Sequence, residues 1–509
     1  MSKQQNPFQR IVKGGSLFSV GMVLNNILQL LSGIIVVRLL SVDEYGDFSL
    51  GNATIAMLSI LCLMGVPTAM IRQASQKPNT SHDQNHSQNI LSSSFVIVFL
   101  SSSSAALILA YIANNSQIWN LSENLVLVLT LMAFTVPINC SMNMLSAYFR
   151  FQQNTAPKVI FQDLLSTGLR VGLLCLALFT VASLKIVLFL YLASALITLA
   201  LYAYYYKKNR KIPLKFKLDR IAMVSTLKLS IPIMGVAIVP SLGSWFISAI
   251  TNYFHDAETV AFFAAPNRLT SLLGIPLVAM GFLYLPIVSA LDKKTDTDRI
   301  NTLYQSVTKW AILTSIPIFV FVLFEAEFVV QFLFGTQYTS SAVVLQIIAL
   351  GACINTFFGN NYLTLVALGE SRSLLLVSLI NLAGMIGASF LFIPNYGYIG
   401  SALAMVTSVA ILNGLMSWIL FTKHKVAPFS NSLIITVTVA SISIWLLIWL
   451  LQQFLSGLIL GFIFAPLAFY IIAVMPRLLN LATDDDEQIY SSILNKAGPL
   501  AKIFPHIRS

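Results

Sequence analysis

This 509-residue chain predicts an all-α polytopic membrane protein of about fourteen transmembrane helices. Composition, the length of its apolar runs and the alternation of its positive charges point to that fold class. Hydrophobic residues make up 57% of the chain and charged residues 10%, with a mean hydropathy of +0.81. Soluble domains carry roughly 45–50% apolar and about 25% charged residues, so a soluble enzyme is excluded. A helix needs about 20 apolar residues to cross the hydrocarbon, where each backbone N–H and C=O must be satisfied within the segment. The runs that meet this length lie near 15–40, 48–70, 90–113, 123–148, 158–181, 184–206, 230–252, 259–290, 309–332, 342–368, 373–393, 398–421, 431–453 and 457–476. The last two are parted only by the turn from Gln452 and Gln453 to Gly457.

The charges assign sides to these spans. Lys3, Arg10 and Lys13 precede the first, and every second loop is basic: Arg72 and Lys77, then Arg150 and Lys158, then the cluster from Lys207 to Lys228. The series continues through Lys293, Lys294, Arg299 and Lys309, then Arg372, Lys423 and Lys425, and the tail from Arg477. The loops between these are nearly bare, holding only Arg38 and Lys185. By the positive-inside rule this alternation predicts a multi-pass protein of the inner, cytoplasmic membrane with both termini cytoplasmic. The formal net charge of +11 then marks topological anchors near anionic lipid, with no nucleic acid implied. The first apolar run is too long for a signal peptide and lacks a small-residue cleavage site, so it is expected to remain as a span.

What is missing narrows the chemistry. The outer loops, at most about ten residues each on this reading, leave little room for the large catalytic loop of a membrane glycan polymerase or ligase. No G-x-x-x-x-G-K-[ST] loop occurs, so ATP binding within the chain is not expected. His82, His86, His255, His424 and His506 are scattered without ligand spacing, so no metal site or cofactor is expected. Cys62, Cys140, Cys175 and Cys353 all fall in spans and read as small packing residues. Asp296-Thr297-Asp298 has the form of a sugar-nucleotide D-x-D, but among Lys293, Lys294 and Arg299 it reads as a solvated loop. Asp484 to Glu487 reads as the exposed start of a tail helix.

Asp43-Glu44-Tyr45-Gly46-Asp47-Phe48 finds a counterpart in Asp256-Ala257-Glu258-Thr259-Val260-Ala261-Phe262. The offset, about 214 residues, lays six spans on the next six in the same orientation, the signature of a parallel repeat. Common composition at two helix starts is the other explanation. Two pseudo-symmetric six-helix bundles are therefore expected, 1–206 and 230–425, joined by a basic cytoplasmic linker, 207–229. An additional helix pair, 426–476, and a cytoplasmic tail, 477–509, follow.

Prolines at 67, 137, 232, 240, 276, 286 and 317 permit kinks, and the seventh and eighth spans, with two each, are the hinge candidates. Asn25, Asn26, Asn139, Asn267, Asn355, Asn360, Asn361 and Asn381 sit at membrane depth, where bonding between helices is the plain explanation. Arg170 and Arg268 come near mid-bilayer at a rise of about 1.5 Å per residue. A guanidinium there costs about 2.5–3.5 kcal/mol or more unless it meets water, a counter-charge or an anionic ligand. One arginine in each half suggests a cationic cavity, and pairing of Arg170 with Asp163 is the structural alternative. Arg38 lies at a helix end, where it can snorkel. Glu325 and Glu327 lie near the outer end of the ninth span, as interface residues or as carboxylates that couple a proton or cation.

Several strings resemble one known family. The run from Arg38 to Phe48 looks like the R-x-L-x-x-x-E-Y-G-x-F element of the Wzx-type polysaccharide-biosynthesis flippases, or O-antigen transporters, of the multidrug/oligosaccharidyl-lipid/polysaccharide (MOP) exporter superfamily. Gly65-Val66-Pro67, Ala264 to Leu269, Phe334 to Tyr338, Ala367-Leu368-Gly369 and Ile393 to Ala402 resemble the same family, over roughly residues 10–425. The resemblance implies a transporter rather than an enzyme. It implies alternating access, and a polyprenyl-diphosphate-linked oligosaccharide carried from the cytoplasmic to the outer leaflet. Arg170 and Arg268 become the cavity cations that hold the diphosphate, with Arg38, Asn25, Asn267 and Asn360 as accessory positions. A coupling ion, H+ or Na+, at Glu325 and Glu327 and a glycan polymerase of the same pathway are the implied partners, besides membrane lipid. The extra helix pair departs from a twelve-span Wzx and is shared with lipid II flippases, so a lipid II flippase or a multidrug antiporter of that superfamily is the alternative.

Overall fold

Ser41 opens the second helix with a capping box. Its hydroxyl accepts from the Glu44 backbone N–H at 3.3 Å, and the Glu44 carboxylate accepts from the Ser41 N–H at 3.0 Å. Asp256 does the same work about 215 residues on, its carboxylate accepting from the Thr259 N–H at 2.8 Å. The Thr259 hydroxyl, donating to the same oxygen at 2.7 Å, and then that backbone bond hold the Asp256 carboxyl below the usual carboxylate range. The two strings thus each start a helix with a side-chain N-cap, with acids in the first turn where the helix dipole favours them.

The computed structural model describes residues 7–74, 83–119, 121–179, 183–214, 219–292 and 295–478. Its elements in order are α1 (Pro7–Leu39), α2 (Val42–Leu63), α3 (Val66–Ala74), α4 (Asp83–Asn114), the single turn α5 (Ser116–Trp119), α6 (Glu123–Ala133) and α7 (Thr135–Phe151). A π-helical segment, Lys158–Leu165, leads into α8 (Ser166–Ala177), then α9 (Leu184–Asn209), α10 (Arg220–Phe254) and α11 (Ala257–Asn267). There follow α12 (Thr270–Leu273), α13 (Ile275–Ser289), α14 (Thr297–Phe324), α15 (Ala326–Phe334), a 3-10 turn at Thr336–Ser341, α16 (Ala342–Phe357) and α17 (Asn361–Ala367). The 54-residue α18 (Ser371–His424), α19 (Asn431–Gln452) and α20 (Gly457–Leu478) complete the chain. Among the described residues, eleven segments are long and apolar enough to cross a membrane. One of these is α18, in which Gly397 (φ 54, ψ −125) bends two helices into a hairpin. With that hairpin read as two crossings, and with α10 and α20 added, the helices are compatible with fourteen. The surface they present is apolar, with Leu107, Leu176, Phe462 and Trp418 all exposed, as lipid contact requires.

Several expected spans are broken rather than straight. The second ends at Met64, whose left-handed backbone caps α2, and restarts after Gly65 with Pro67 in the first turn of α3. The fourth breaks at Phe134, with Pro137 in the first turn of α7, and the eighth divides into α11, α12 and α13. Proline costs little in a first turn, where its missing N–H has no intrahelical partner. Pro317 and Pro394 lie inside α14 and α18, and α10 runs helical through both of its prolines.

The chain divides into two compact units. Unit 1 comprises residues 1–268 and the elbow Ser389–Ser401. Here Gly46 lets α2 cross α11: a Cβ at that position would drive into the backbone carbonyl of Ala257. Trp245 donates its indole N–H to the Thr54 hydroxyl at 3.0 Å, joining α10 to α2. Phe149, Phe161, Tyr202 and Tyr205 stack where α7, the π-helical segment and α9 meet. The Tyr148 hydroxyl ties down the following loop by donating to the Ile212 carbonyl at 3.0 Å and accepting from the Lys211 and Ile212 N–H groups. The elbow is held by His255, whose Nε2 lies 2.8 Å from the Ile393 carbonyl oxygen.

Unit 2 comprises residues 269–388 and 402–509. Its core places Trp310, Leu313 and Ile316 of α14 against Leu433, Ile444 and Ile448 of α19 and Phe464 and Ala468 of α20, so the C-terminal pair packs as part of this unit. A second cluster gathers Tyr284, Tyr304, Leu365, Val377 and Met416. Where α16 stops at Phe357, Gly359 (φ 64) turns the chain in close contact with Thr308. Glu370, at the start of α18, accepts from the Ser373 hydroxyl and pairs with Lys423 at 2.9 Å, which holds its carboxyl at about 2. His424 lies 3.2 Å away on its other oxygen. Being largely solvent-screened, this group ties the two ends of α18 together with little net energy.

The four cysteines are free, with Cys62 and Cys140 buried in helix packing. Asp296 precedes α14 and accepts from the Asp292 N–H at 2.9 Å, a loop bond within the D-x-D string. The Asp484 to Glu487 run, Lys77, His82, Lys293, Lys294 and His506 lie outside the described residues.

Candidate functional site

Arg170 sits in the second turn of α8, directly after the π-helical segment. Such segments widen a helix by one residue per turn and turn the following side chains onto a new face. On that face Thr167 donates to the Asn25 amide oxygen of α1 at 2.9 Å. One turn further, the Arg170 guanidinium lies over the ring of Tyr191 in α9, 4.6 Å from its centroid. The expected alternative, an ion pair with Asp163, does not form. Asp163 pairs instead with Lys158 at 3.3 Å, within the π-helical segment itself. The Arg170 Nε is buried without a hydrogen-bond acceptor. A cation–π contact of this kind contributes about 0.5–2 kcal/mol and leaves the charge un-neutralised.

Arg268 stands at the break between α11 and α12, as the C-terminal cap of α11, rather than inside a continuous helix. Its Nε donates to the Tyr45 hydroxyl at 2.7 Å, and its guanidinium carbon lies 5.6 Å from the Tyr45 ring centroid. Tyr45 is fully buried in the first turn of α2. The two arginines belong to one aromatic cluster. Tyr45 stacks on Phe48 at 6.4 Å, and Phe48 meets the edge of Tyr191 at 5.2 Å. Helix α1 closes the cluster with two consecutive residues: the Ser32 hydroxyl lies 3.4 Å from that of Tyr191, and Gly33 lies against the side chain of Arg268.

The other expected positions divide. Asn25 is drawn into this group through Thr167. Asn267 precedes Arg268 and is half-buried, and Arg38 is exposed in the last turn of α1, as a snorkelling residue would be. Asn360 belongs to unit 2, at the break between α16 and α17. It is buried, with its amide nitrogen unpaired, beside an Asn361–Asn413–Asn355 ladder of amide bonds at 2.9 and 3.0 Å. Glu325 stands at the joint between α14 and α15 and accepts from the Gln452 amide at 2.8 Å, and Glu327, two residues on, is exposed.

Sequence reasoning missed Tyr191, Ser32 and Gly33. It quoted Tyr45 only as part of a string.

Chemically, the cluster offers two delocalised cations with planar donor forks on a rigid aromatic backing. Such a group grips phosphate or carboxylate oxygens bidentately.

The fold is an all-helical, multi-pass membrane fold of the kind seen in solved transporters of the MOP superfamily. It aligns with the inward closed conformation of the lipid II flippase MurJ at a TM-score of 0.75, with 14% identity, covering 91% of this chain and 99% of that one. With an inward-facing multidrug resistance MATE family transporter of the MOP superfamily the TM-score is 0.67, at 15% identity over 80% of this chain and 99% of the other. The chain belongs to the polysaccharide biosynthesis protein family, whose family model matches residues 11–291. It is 21% identical over 426 residues to the capsular polysaccharide biosynthesis protein CapF of Staphylococcus aureus, covering 81% of this chain and all of that protein. A Shigella flexneri protein described as a candidate O-antigen transporter is 24% identical over 183 residues, which span 35% of this chain and 42% of its own length.

Proposed function

We propose that this chain is a flippase, which moves a polyprenyl-diphosphate-linked oligosaccharide from the cytoplasmic to the outer leaflet of the cytoplasmic membrane by alternating access. The observation that carries the reading is the pair Arg170 and Arg268, set on tyrosine faces within one buried cluster. Membership of a polysaccharide-biosynthesis family supports it. A half-buried cation pair at membrane depth is costly unless an anion visits it, and a diphosphate is a strong bidentate acceptor for arginine. The names of the two relatives, capsular polysaccharide biosynthesis protein and O-antigen transporter, agree with a glycan cargo. Lipid II is the second reading, favoured by the C-terminal helix pair and by the likeness to MurJ; it carries the same head-group chemistry with a different sugar.

The protein does no bond-making in this scheme. Its task is to lower the cost of taking a charged, hydrated head group through about 30 Å of hydrocarbon, a cost that closes the path to the unaided lipid. Residues 1–206 and 230–425 are the two halves of the transporter, and both termini are cytoplasmic. Single cysteines at Ser116 and Lys211 in a cysteine-free background are expected to label from opposite faces, Ser116 from outside. Equal labelling of both in intact cells overturns that topology. Deleting the protein is expected to strand lipid-linked oligosaccharide in the cytoplasmic leaflet while its synthesis continues, as read by leaflet-specific labelling of the sugar. Mature surface glycan at normal levels, in a strain without a paralogue, overturns the transport reading.

A further inference from the structure

One face of α1 is packed at one end and open at the other. Met22, Asn25, Gln29, Ser32 and Val36 follow one another at steps of three and four residues, so they share that face. Val36 and Ser32 are buried, Asn25 is half-buried, and Gln29 and Met22 are exposed. The stripe beside it repeats the pattern, with Val37 and Gly33 buried and Asn26 half-buried. Gln29 lies near the middle of the expected span at 15–40. A side-chain amide there finds no partner in hydrocarbon, so a face that turns polar where it opens suits water rather than lipid. The π-helical segment and α8 run alongside α1 in the same direction: Gly21 lies against Val159, and further along both, Asn25 accepts from Thr167 at 2.9 Å. Gln29 is four residues past Asn25 and Arg170 three past Thr167. At a rise of about 1.5 Å per residue, the amide and the guanidinium therefore stand at about the same height. Tyr191 ties the two helices together, its ring 4.6 Å from the Arg170 guanidinium and its hydroxyl 3.4 Å from that of Ser32. The Thr167 bond uses only the oxygen of the Asn25 amide. The Asn25 nitrogen and the amides of Asn26 and Gln29 have no hydrogen-bond partner among the described residues.

We infer that Gln29 and Asn26, with the amide nitrogen of Asn25, form a subsite for an uncharged sugar carried directly on the diphosphate. This rests on the reading of Arg170 as a head-group ligand. An amide offers two N–H donors and a carbonyl acceptor without net charge. Sugar hydroxyls both donate and accept, and an acetamido substituent presents the same N–H and C=O pair, so either is matched by such a group. A carboxylate in the same place could only accept, and it would repel a diphosphate held beside it. Phosphate and first sugar are neighbours in a lipid-linked head group, as the arginine and the amides are on these two helices. A site built to hydrogen-bond a substrate discriminates against an analogue that lacks the bonding groups, because its own polar groups are then left unpaired. The amides therefore separate a glycosylated diphosphate from a bare one, which the arginine alone cannot do.

The test uses the full chain in nanodiscs with three probes: farnesyl diphosphate, and the same diphosphate esterified with glucose or with N-acetylglucosamine. The wild type is expected to bind at least one glycosylated probe about tenfold more tightly than the bare diphosphate, the scale of one or two hydrogen bonds. Gln29→Leu, which keeps the volume and loses the amide, is expected to remove most of that preference, and Gln29→Leu with Asn26→Leu to remove all of it. Arg170→Ala is expected to weaken all three probes together. The deciding quantity is the ratio of affinities within one variant, which a general change of packing does not move. A wild type that binds all three probes alike overturns the inference, as does a sugar preference that survives in the double variant. A double variant that weakens the three probes equally shows that the amides shape the helix rather than contact the sugar, and overturns it as well. If Arg170→Ala holds bare farnesyl diphosphate as the wild type does, the head-group reading itself fails, and the inference falls with it.

Discussion

Arg170→Ala and Arg268→Ala should each abolish glycan complementation, or reduce it by an order of magnitude or more, while leaving membrane insertion and abundance near the wild-type level. The expectation follows from what each arginine touches. Arg170 is held by a ring face and pairs with no acid among the described residues, so its removal strands no buried carboxylate. At Arg268 the bond lost to the Tyr45 hydroxyl leaves a neutral group, whose unmade bond costs about 1–3 kcal/mol. Had Arg170 been half of a buried ion pair, alanine would leave an unpaired charge at a cost of about 3–5 kcal/mol, and protein level would fall with activity. Immunoblotting beside the complementation assay separates the cases. Lysine should restore only part of the activity, because it keeps the charge and loses the planar fork. Normal complementation by both alanine variants would remove these residues from the transport mechanism.

Arg170 was legible in the sequence because a guanidinium in an apolar run is expensive, and expense singles it out. Tyr191 was not, because a tyrosine in the run Leu188 to Ala195 reads the same whether it faces lipid or backs a cation. The Asp43 and Asp256 strings were legible as helix entries, whereas the Ser41 cap that starts α2 at Val42, ahead of the expected span at 48, was not read from them. The breaks at Met64 and Phe134 fall just before Pro67 and Pro137, which the sequence marks as kink positions, but their form as full breaks, and the break at Arg268, were not legible. A span is recognised by averaging hydropathy over about 20 residues, and a one-residue change of backbone direction leaves that average untouched. The break at Arg268 matters most, because it turns a mid-helix arginine into a helix-cap arginine and frees it to lean on α1 and α2. The pairing of Asp163 was missed for a related reason. Helical spacing of seven residues suggested Arg170 as its partner, but the π-helical segment between Lys158 and Leu165 changes the register and leaves the carboxylate with Lys158.

The second large effect is expected at Gly46, and it is one of folding rather than transport. Gly33 and Gly46 of unit 1 both stand close to neighbours, and the identity of the neighbour decides what alanine does. At Gly33 the added methyl meets the flexible end of Arg268, which can swing aside. At Gly46 it meets the backbone carbonyl of Ala257, which is held by the first turn of α11 and by the Asp256 cap before it. Neither helix can give without unpacking Tyr45 and Phe48, both fully buried. Overpacking of a rigid contact typically costs about 1–3 kcal/mol, and backbone against backbone belongs at or above the upper end. Gly46→Ala should therefore lower steady-state abundance and the thermal unfolding midpoint of the purified protein by several degrees, and Gly46→Leu should prevent accumulation altogether. Gly33→Ala, measured in parallel, should keep abundance and midpoint. If Gly46→Ala matches the wild type in both abundance and midpoint, the close crossing of α2 and α11 is not what holds the first unit together. The E-Y-G string would then need another explanation for its glycine.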